Sequence, residues 1–439
     1  MTCRLLPLMS LLLLSCHLQA DEAATKEYQQ RVETVRSLPG FVALWDFVRR
    51  DAATGQFTAH QPEGRKHDFR LEAVNYVLDY WGQGRAATYE DFPLLGRGPF
   101  GQAVRLLNET DDTFRPCLLV PRERLHDTGL DVKGPGGSVS MVAWVIRESG
   151  NHAIAGIWHE GTDLHSQKGP IVRVEQGRRQ YALFAGLGAK SGASAVHVSE
   201  NGAKSFGDKY ARNLAVTPEL IPTAPPDATP EILDATWSLL GFTFDNAANT
   251  VTAYLNGQAT DYWIESPEKQ NFFKWPAHGW LQAQLHQMPG LQEGEEPDYP
   301  ADQFYQPPEE EPLKNEVVSE SEDERVELHQ HPFTRVRVTL GKDAEGRFTK
   351  VKKRELVALK ANPFWFPHDL YTPASEKEGG PFTIGRFIHT GRSVGFTGYI
   401  GGVAVFNQVL SPEQMAHLAA LGHKSDGPAL IKQADIQSP

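Results

Sequence analysis

The segment SVSMVAWVIRE (138–148) constrains the fold of this chain more than any other stretch. Read with the two-residue period of an extended strand, Val139, Met141, Ala143 and Val145 share one face, and Val142, Trp144 and Ile146 share the other. Water cannot lie against either face without a large loss of apolar burial, so the segment predicts a central strand covered twice. Further strands are expected at FVALWDF (41–47), HAIAGIWH (152–159), YALFAGL (181–187), SAVHVS (194–199) and RVRVTL (335–340). In the last, Arg335, Arg337 and Thr339 alternate with Val336, Val338 and Leu340, which predicts a half-buried strand. LLGFTF (239–244) and TVTAYLNG (250–257) flank a turn rich in Asp and Asn, the signature of a hairpin. Glycine (39 residues) and proline (30) are frequent enough among 439 residues to favour many short strands over long helices.

Two helices are expected at the ends. Tyr28, Val32 and Val35 recur at helical spacing over 23–38, and Pro39-Gly40 stops that helix. At the other end Ser411 is a natural N-cap, Pro412 suits the first helical position, Gln414 completes a capping box and Gly422 can end the helix. Just before it, Ile400 falls on one parity of its strand while Val403 and Val405 fall on the other. A bulge at Gly401-Gly402 would return all three to one face.

Residues 266–332 interrupt the strand pattern. Between Gln292 and Glu327, fourteen acidic residues stand against Lys314 and Arg325, a balance of −12 that equals the formal charge of the whole chain. The segment is expected to be an acidic, proline-rich insert that stays a solvated loop. The basic cluster Lys350, Lys352, Lys353 and Arg354 lacks interleaved aromatics and is read as a solvated strand face, so no nucleic-acid partner is expected.

The chain opens with Arg4 and an apolar run from Leu5 to Leu14, which reads as an export signal over residues 1–20. Leu13-Leu14-Ser15-Cys16 resembles a lipobox, which makes Cys16 the lipidation candidate and an acyl anchor the one expected route to a membrane. Beyond the signal only Cys117 remains, so no intrachain disulfide is available; in RPCLLVP it is expected to be a buried apolar residue.

The pieces LWDF, GPFGQAVRL (98–106), VSMVAWV, LGFTFDNAANTVTAYLNG, PFTIG (381–385) and FTGYIGGVAVFNQVLSPEQM occur in an order that resembles the LamG-like members of the concanavalin A-like lectin-glucanase superfamily. The phrasing is similar to bacterial exported proteins of planctomycete type. The resemblance implies an all-β, two-sheet jelly-roll sandwich with a short N-terminal helix and a C-terminal helix, whose concave sheet takes glycans or protein partners. It assigns 21–40 to the N-terminal helix, 41–425 to the sandwich with its insert, and 426–439 to a tail. Relatives often carry an acidic residue after the isoleucine of the last strand, where this chain has Gly401-Gly402. A role carried by that carboxylate is therefore not expected.

The laminarinase-like glycosidases of the superfamily need two carboxylates on one strand, as E-x-D-x-x-E. That motif is absent from every apolar strand. Glu320, Glu322 and Glu324 alternate, but within the acidic insert. His159 and Glu160, with Asp163 and His165, form the best polar cluster, although the spacing is not H-E-x-x-H. Asp245, Asn246 and Asn249 offer oxygens suited to Ca²⁺, but turn chemistry already accounts for them, and no cofactor is expected. Of the aromatics, Trp144 is read as packing, while Trp158 and Trp263 are open to stacking on a sugar. These residues suggest a non-catalytic exported binding module recognising carbohydrate or a cell-surface partner through Trp158, His159, Glu160 and Trp263. The alternatives are a diverged glycosidase or lyase at His159 and Glu160, and an anchored envelope protein without a small ligand.

Overall fold

The computed structural model describes residues 24–107, 110–150, 153–159, 178–186, 191–199, 202, 214–248, 250–267, 311–332, 334–360, 369–388 and 395–422. The doubly apolar segment forms β5 (Val139–Gly150) at the centre of an antiparallel sheet. The strand order is β1 (Phe41–Trp45), β18 (Phe396–Phe406), β5, β10 (Ser238–Asp245) and β11 (Thr250–Leu255), with β3 (Val104–Leu106) also paired to β18. A second antiparallel sheet has the order β2 (Glu72–Asn75), β4 (Pro116–Val120), β17 (Phe382–Ile384), β6 (Ala153–His159), β7 (Arg178–Phe184), β8 (Ala193–Val198) and β9 (Leu214–Leu220).

Both faces of β5 are covered, as its pattern requires. Met141, Ala143 and Val145 lie in the core between the two sheets with Phe242, Tyr181 and Phe382. Val142, Trp144 and Ile146 lie in an outer core. Three helices supply that outer cover: α1 (24–36), α3 (Pro230–Ala235) and α4 (Pro412–Ala420). A fourth, α2 (Tyr76–Trp81), packs at the end of the second sheet against Ile388. Tyr28, Val32 and Val35 are the buried stripe of α1, and Met415 and Leu418 that of α4. The expected capping box is present: Gln414 N–H donates to Ser411 Oγ, and Ser411 N–H donates to Gln414 Oε1 at 2.8 Å. Trp144 is a packing residue whose Nε1 donates to Leu418 O at 3.0 Å, tying β5 to α4. Cys117 is buried, and burial pushes its thiol up to about 12, so it stays a protonated apolar residue.

The bulge falls where the parity break placed it. Ile400 pairs with Val145 and Gly402 with Trp144, so Gly401 is the extra residue. Ile400, Val403 and Val405 consequently all enter the inter-sheet core. A Cβ on Gly401 would sit 2.7 Å from Pro99 Cδ and 2.9 Å from the Trp237 ring. Gly401→Ala is expected to cost about 1–3 kcal/mol through overpacking, read as a lower midpoint in urea unfolding.

The solvated-loop reading of the insert is corrected. A third antiparallel sheet runs β12 (Trp263–Glu265), β16 (Phe348–Lys360), β15 (Thr334–Lys342), β14 (Glu324–Gln330) and β13 (Lys314–Glu320). The last two strands come from the acidic stretch itself. Its charges are compensated across strands: Lys352 Nζ meets Glu324 Oε1 at 2.8 Å, and Arg325 Nε meets Glu320 Oε2 at 2.8 Å. A loop is favoured only while such like charges face water alone; cross-strand partners remove that penalty. Val336, Val338 and Leu340 form the buried face of β15, as the alternation predicted. Residues 268–310 of the insert lie outside the described residues, as do Cys16 and the 426–439 tail.

The third sheet also changes the outer face of the second. Ile264 of β12 and Leu359 of β16 pack against Trp158, Phe184 and Val216. Part of that face is therefore protein core.

Candidate functional site

A cavity of about 180 Å³ is lined from three stretches of the chain: Arg85, Asp91 and Phe92; Leu106 to Pro116; and Gly385, Arg386 and Phe396. Its floor is apolar: Phe92, Leu106 and Phe396 are buried, and Gly385 lies beside Leu106. Gly385 has φ +89°, and a Cβ there would lie 2.8 Å from both Leu106 methyls, so only glycine keeps this wall open. The half-buried ring of Phe114 forms a side wall, with Leu107, Thr110 and Asp111 near it.

Two arginines give the cavity its polar character. The Arg85 guanidinium lies over the Phe114 ring, 3.8 Å from its centroid, and forks onto the Asp91 carboxylate, with Nη1 donating to Oδ2 at 2.9 Å. Asp91 is oriented in turn by the Thr88 N–H, which donates to Oδ2 at 2.8 Å at the start of a short 3₁₀ turn (Tyr89–Asp91). Ring, cation and carboxylate are thus fixed as one unit. Arg386 is buried at the other side, where its Nε donates to Pro116 O at 3.2 Å. Burial lowers the pKa of Arg386, opposed by its interaction with Tyr76.

The two carboxylates of the cavity are shifted in the same direction. Hydrogen bonds from Arg85 hold Asp91 below the usual carboxylate range, against desolvation. The Thr113 amide and hydroxyl do the same for Asp111, each donating to Oδ1 at 2.8 Å. A glycosidase site needs one carboxyl raised so that it can act as an acid near neutral pH. Neither Asp91 nor Asp111 meets that requirement.

The residues singled out from sequence that the structure describes do not line this cavity. Trp158 is 1% exposed; it sits 4.8 Å from the His197 ring and edge-on to Phe184 at 6.0 Å. His159 is buried, with Nε2 3.2 Å from Tyr80 Oη. Glu160, Asp163 and His165 lie outside the described residues. Trp263 is half-buried on β12, is not part of the cavity lining, and has the Arg335 guanidinium over its ring at 4.2 Å. Asp245 Oδ1 accepts from the amides of Ala247 and Ala248, the turn chemistry expected of it; Asn249 lies outside the described residues. Glu320 and Glu324 flank the β13–β14 turn and are paired with Arg325 and Lys352.

Among the described residues one trio has metal-ligand spacing: His126, Asp131 and Glu376. Its charge is already met. Arg122 Nη1 donates to Asp131 Oδ1 at 2.7 Å and its Nε to Glu376 Oε2 at 2.9 Å, while Lys133 also binds Asp131. A metal ion would have to displace two cations, so the trio is read as an ion-pair network.

No protein-family model and no curated protein matches the chain. Among solved structures it is similar to domain 4 of AbnA, a GH43 extracellular arabinanase from Geobacillus stearothermophilus, in complex with arabinotriose. There the identity is 12% and the TM-score 0.34, covering 86% of this chain and 98% of that one. A mutant Trypanosoma rangeli sialidase displaying trans-sialidase activity is 9% identical with a TM-score of 0.34, covering 93% of this chain and 40% of the sialidase. The Ruminococcus gnavus IT-sialidase CBM40 bound to alpha2,6 sialyllactose is 9% identical with a TM-score of 0.33, covering 72% and 96%. Likenesses at this level transfer no residue role to Arg85, Asp91, Phe114 or Arg386.

Proposed function

We propose that the chain is an exported, non-catalytic carbohydrate-recognition protein whose ligand seats in the cavity between Phe114, Arg85–Asp91 and Arg386. The observation that carries this reading is the pairing of an aromatic wall with a fixed guanidinium–carboxylate fork over an apolar floor. A pyranose presents an apolar face and rows of hydroxyls that both donate and accept. The Phe114 ring suits the face, and the Arg85–Asp91 pair offers donors and acceptors side by side. At about 180 Å³ the cavity is smaller than the roughly 300–1,000 Å³ typical of ligand clefts, so it suits one ring at a chain end. Both carboxylates of the cavity are held below the usual range and neither is raised, which supports binding over acid-catalysed hydrolysis.

Calorimetric titration with a panel of neutral and acidic oligosaccharides tests this reading. Binding is expected for at least one member, and Phe114→Ala should weaken it by about tenfold or more, equivalent to about 1.4 kcal/mol. Unchanged binding in that variant would reject the cavity as the site. The 3.2 Å contact between His159 and Tyr80 favours a second reading, a diverged glycosidase or lyase. The same panel decides it: shortened or unsaturated products that vanish in Tyr80→Phe would establish catalysis.

A further inference from the structure

A second concavity lies apart from that cavity, where the 49–54 turn faces the 58–70 segment, with a volume of about 430 Å³. Four cationic side chains line it, Arg49, Arg50, Lys66 and Arg70, against the carboxylates of Asp51 and Asp68. The carboxylates are already engaged. Arg70 forks onto Asp68 at 2.7 and 2.8 Å, and Asp51 Oδ1 accepts from the Ala53 and Thr54 amides and the Thr54 hydroxyl. Arg50 is held in place with its guanidinium 4.2 Å from the Phe57 ring centroid. Among the described residues the Arg49 guanidinium and the Lys66 ammonium have neither hydrogen bond nor ion pair.

Two further polar atoms in residues of the lining are left without partners. Thr58 Oγ1 and His67 Nε2 are buried atoms without a hydrogen-bond partner among the described residues, and both residues line the same concavity. The His67 ring is fixed by stacking on Phe69 at 5.3 Å, and its backbone by two hydrogen bonds with the Gln61 side chain. A buried hydroxyl and ring nitrogen left without partners are unusual in a folded protein. A hydroxyl, and a His67 ring in the tautomer with the proton on Nε2, next to surplus positive charge are complementary to a group that only accepts hydrogen bonds and carries negative charge.

We infer that this concavity is an oxyanion site for a tetrahedral sulfate or phosphate group. Arg49 and Lys66 supply the charge, and Thr58 and His67 supply the directional donors. The group arrives either as a free ion or as an ester on a larger molecule, and the two sources share this chemistry.

The test titrates the full chain with inorganic sulfate, inorganic phosphate and a sulfated polysaccharide, each against chloride at matched ionic strength. Saturable binding of sulfate or phosphate above chloride is expected, weakening as ionic strength rises. The double substitution Arg49→Gln/Lys66→Gln should lower the affinity by about tenfold or more. Thr58→Val is the more discriminating variant. It removes a hydroxyl without a partner, so the ligand-free protein should unfold at an unchanged or higher temperature, while oxyanion affinity falls about threefold or more. Tighter binding of the sulfated polymer than of inorganic sulfate would identify an ester as the source, and the reverse order a free ion. Oxyanions that bind no better than chloride, or binding unaffected by both variants, would overturn the inference.

Discussion

Replacing Asp46 by alanine is expected to lower the unfolding free energy by about 3–5 kcal/mol, mainly by releasing helix α1 from the sandwich. Asp46 follows β1 and its carboxylate is fully buried. Oδ2 accepts from Tyr28 Oη of α1 at 2.6 Å and lies 2.8 Å from His60 Nε2, while Oδ1 accepts from the amides of Val48 and Arg49 at 3.0 Å each. One side chain therefore joins the helix, the strand and the loop behind it. Alanine would leave those donors without an acceptor inside the protein, each an added cost. Burial alone would raise the pKa of this carboxyl. His60, the Tyr28 hydroxyl and the Arg49 amide outweigh burial and hold it below its ordinary value. A depressed carboxyl contributes stability above its unfolded pKa, about 4, and loses it as pH falls through the folded value. The gap between wild type and Asp46→Ala should thus be full at pH 7 and shrink below pH about 4. Urea unfolding followed by circular dichroism at both pH values measures it; an equal gap at both would contradict the assignment.

The second large effect is expected at Arg122. Its guanidinium binds Asp131 through Nη1 at 2.7 Å and Nη2 at 2.9 Å, and Gln180 Nε2 of β7 adds a further bond to Asp131 at 3.1 Å. Desolvation opposes the charge on Asp131, and Arg122 and Lys133 restore it, leaving the carboxyl below its usual range. Arg122→Ala would leave a buried carboxylate short of its main partner, at a cost of about 3–5 kcal/mol. Removing both partners leaves less charge to compensate, so Arg122→Met/Asp131→Leu should lose less than the sum of the two single variants. Thermal unfolding of the four proteins in this cycle measures the coupling, and strict additivity would show that the two side chains act independently.

Local pattern made much of the fold legible. The period-two alternation of β5, the parity break at Gly401 and the Ser411–Gln414 capping box each need only a few neighbouring residues, and each is present. The two acidic strands of the third sheet were illegible because their compensation is distant in sequence: Glu324 is paired with Lys352, in the strand two places across the sheet. A charge count within one window cannot contain such a pair. The status of Trp158 had the same origin, since its burial involves Ile264 and Leu359 from that sheet. The candidate cavity was hidden for a different reason. Arg85, Phe114 and Arg386 carry no periodic signal, and of the lining only Leu106, Pro116, Gly385 and Phe396 belonged to segments marked in the sequence.

The most direct measurement is a crystal structure of the protein with the tightest-binding oligosaccharide of the panel. A carbohydrate site at this cavity requires one terminal sugar ring against Phe114, with its hydroxyls on Arg85, Asp91 and Arg386. A ring seated anywhere else, or a panel with no binding member, would contradict it.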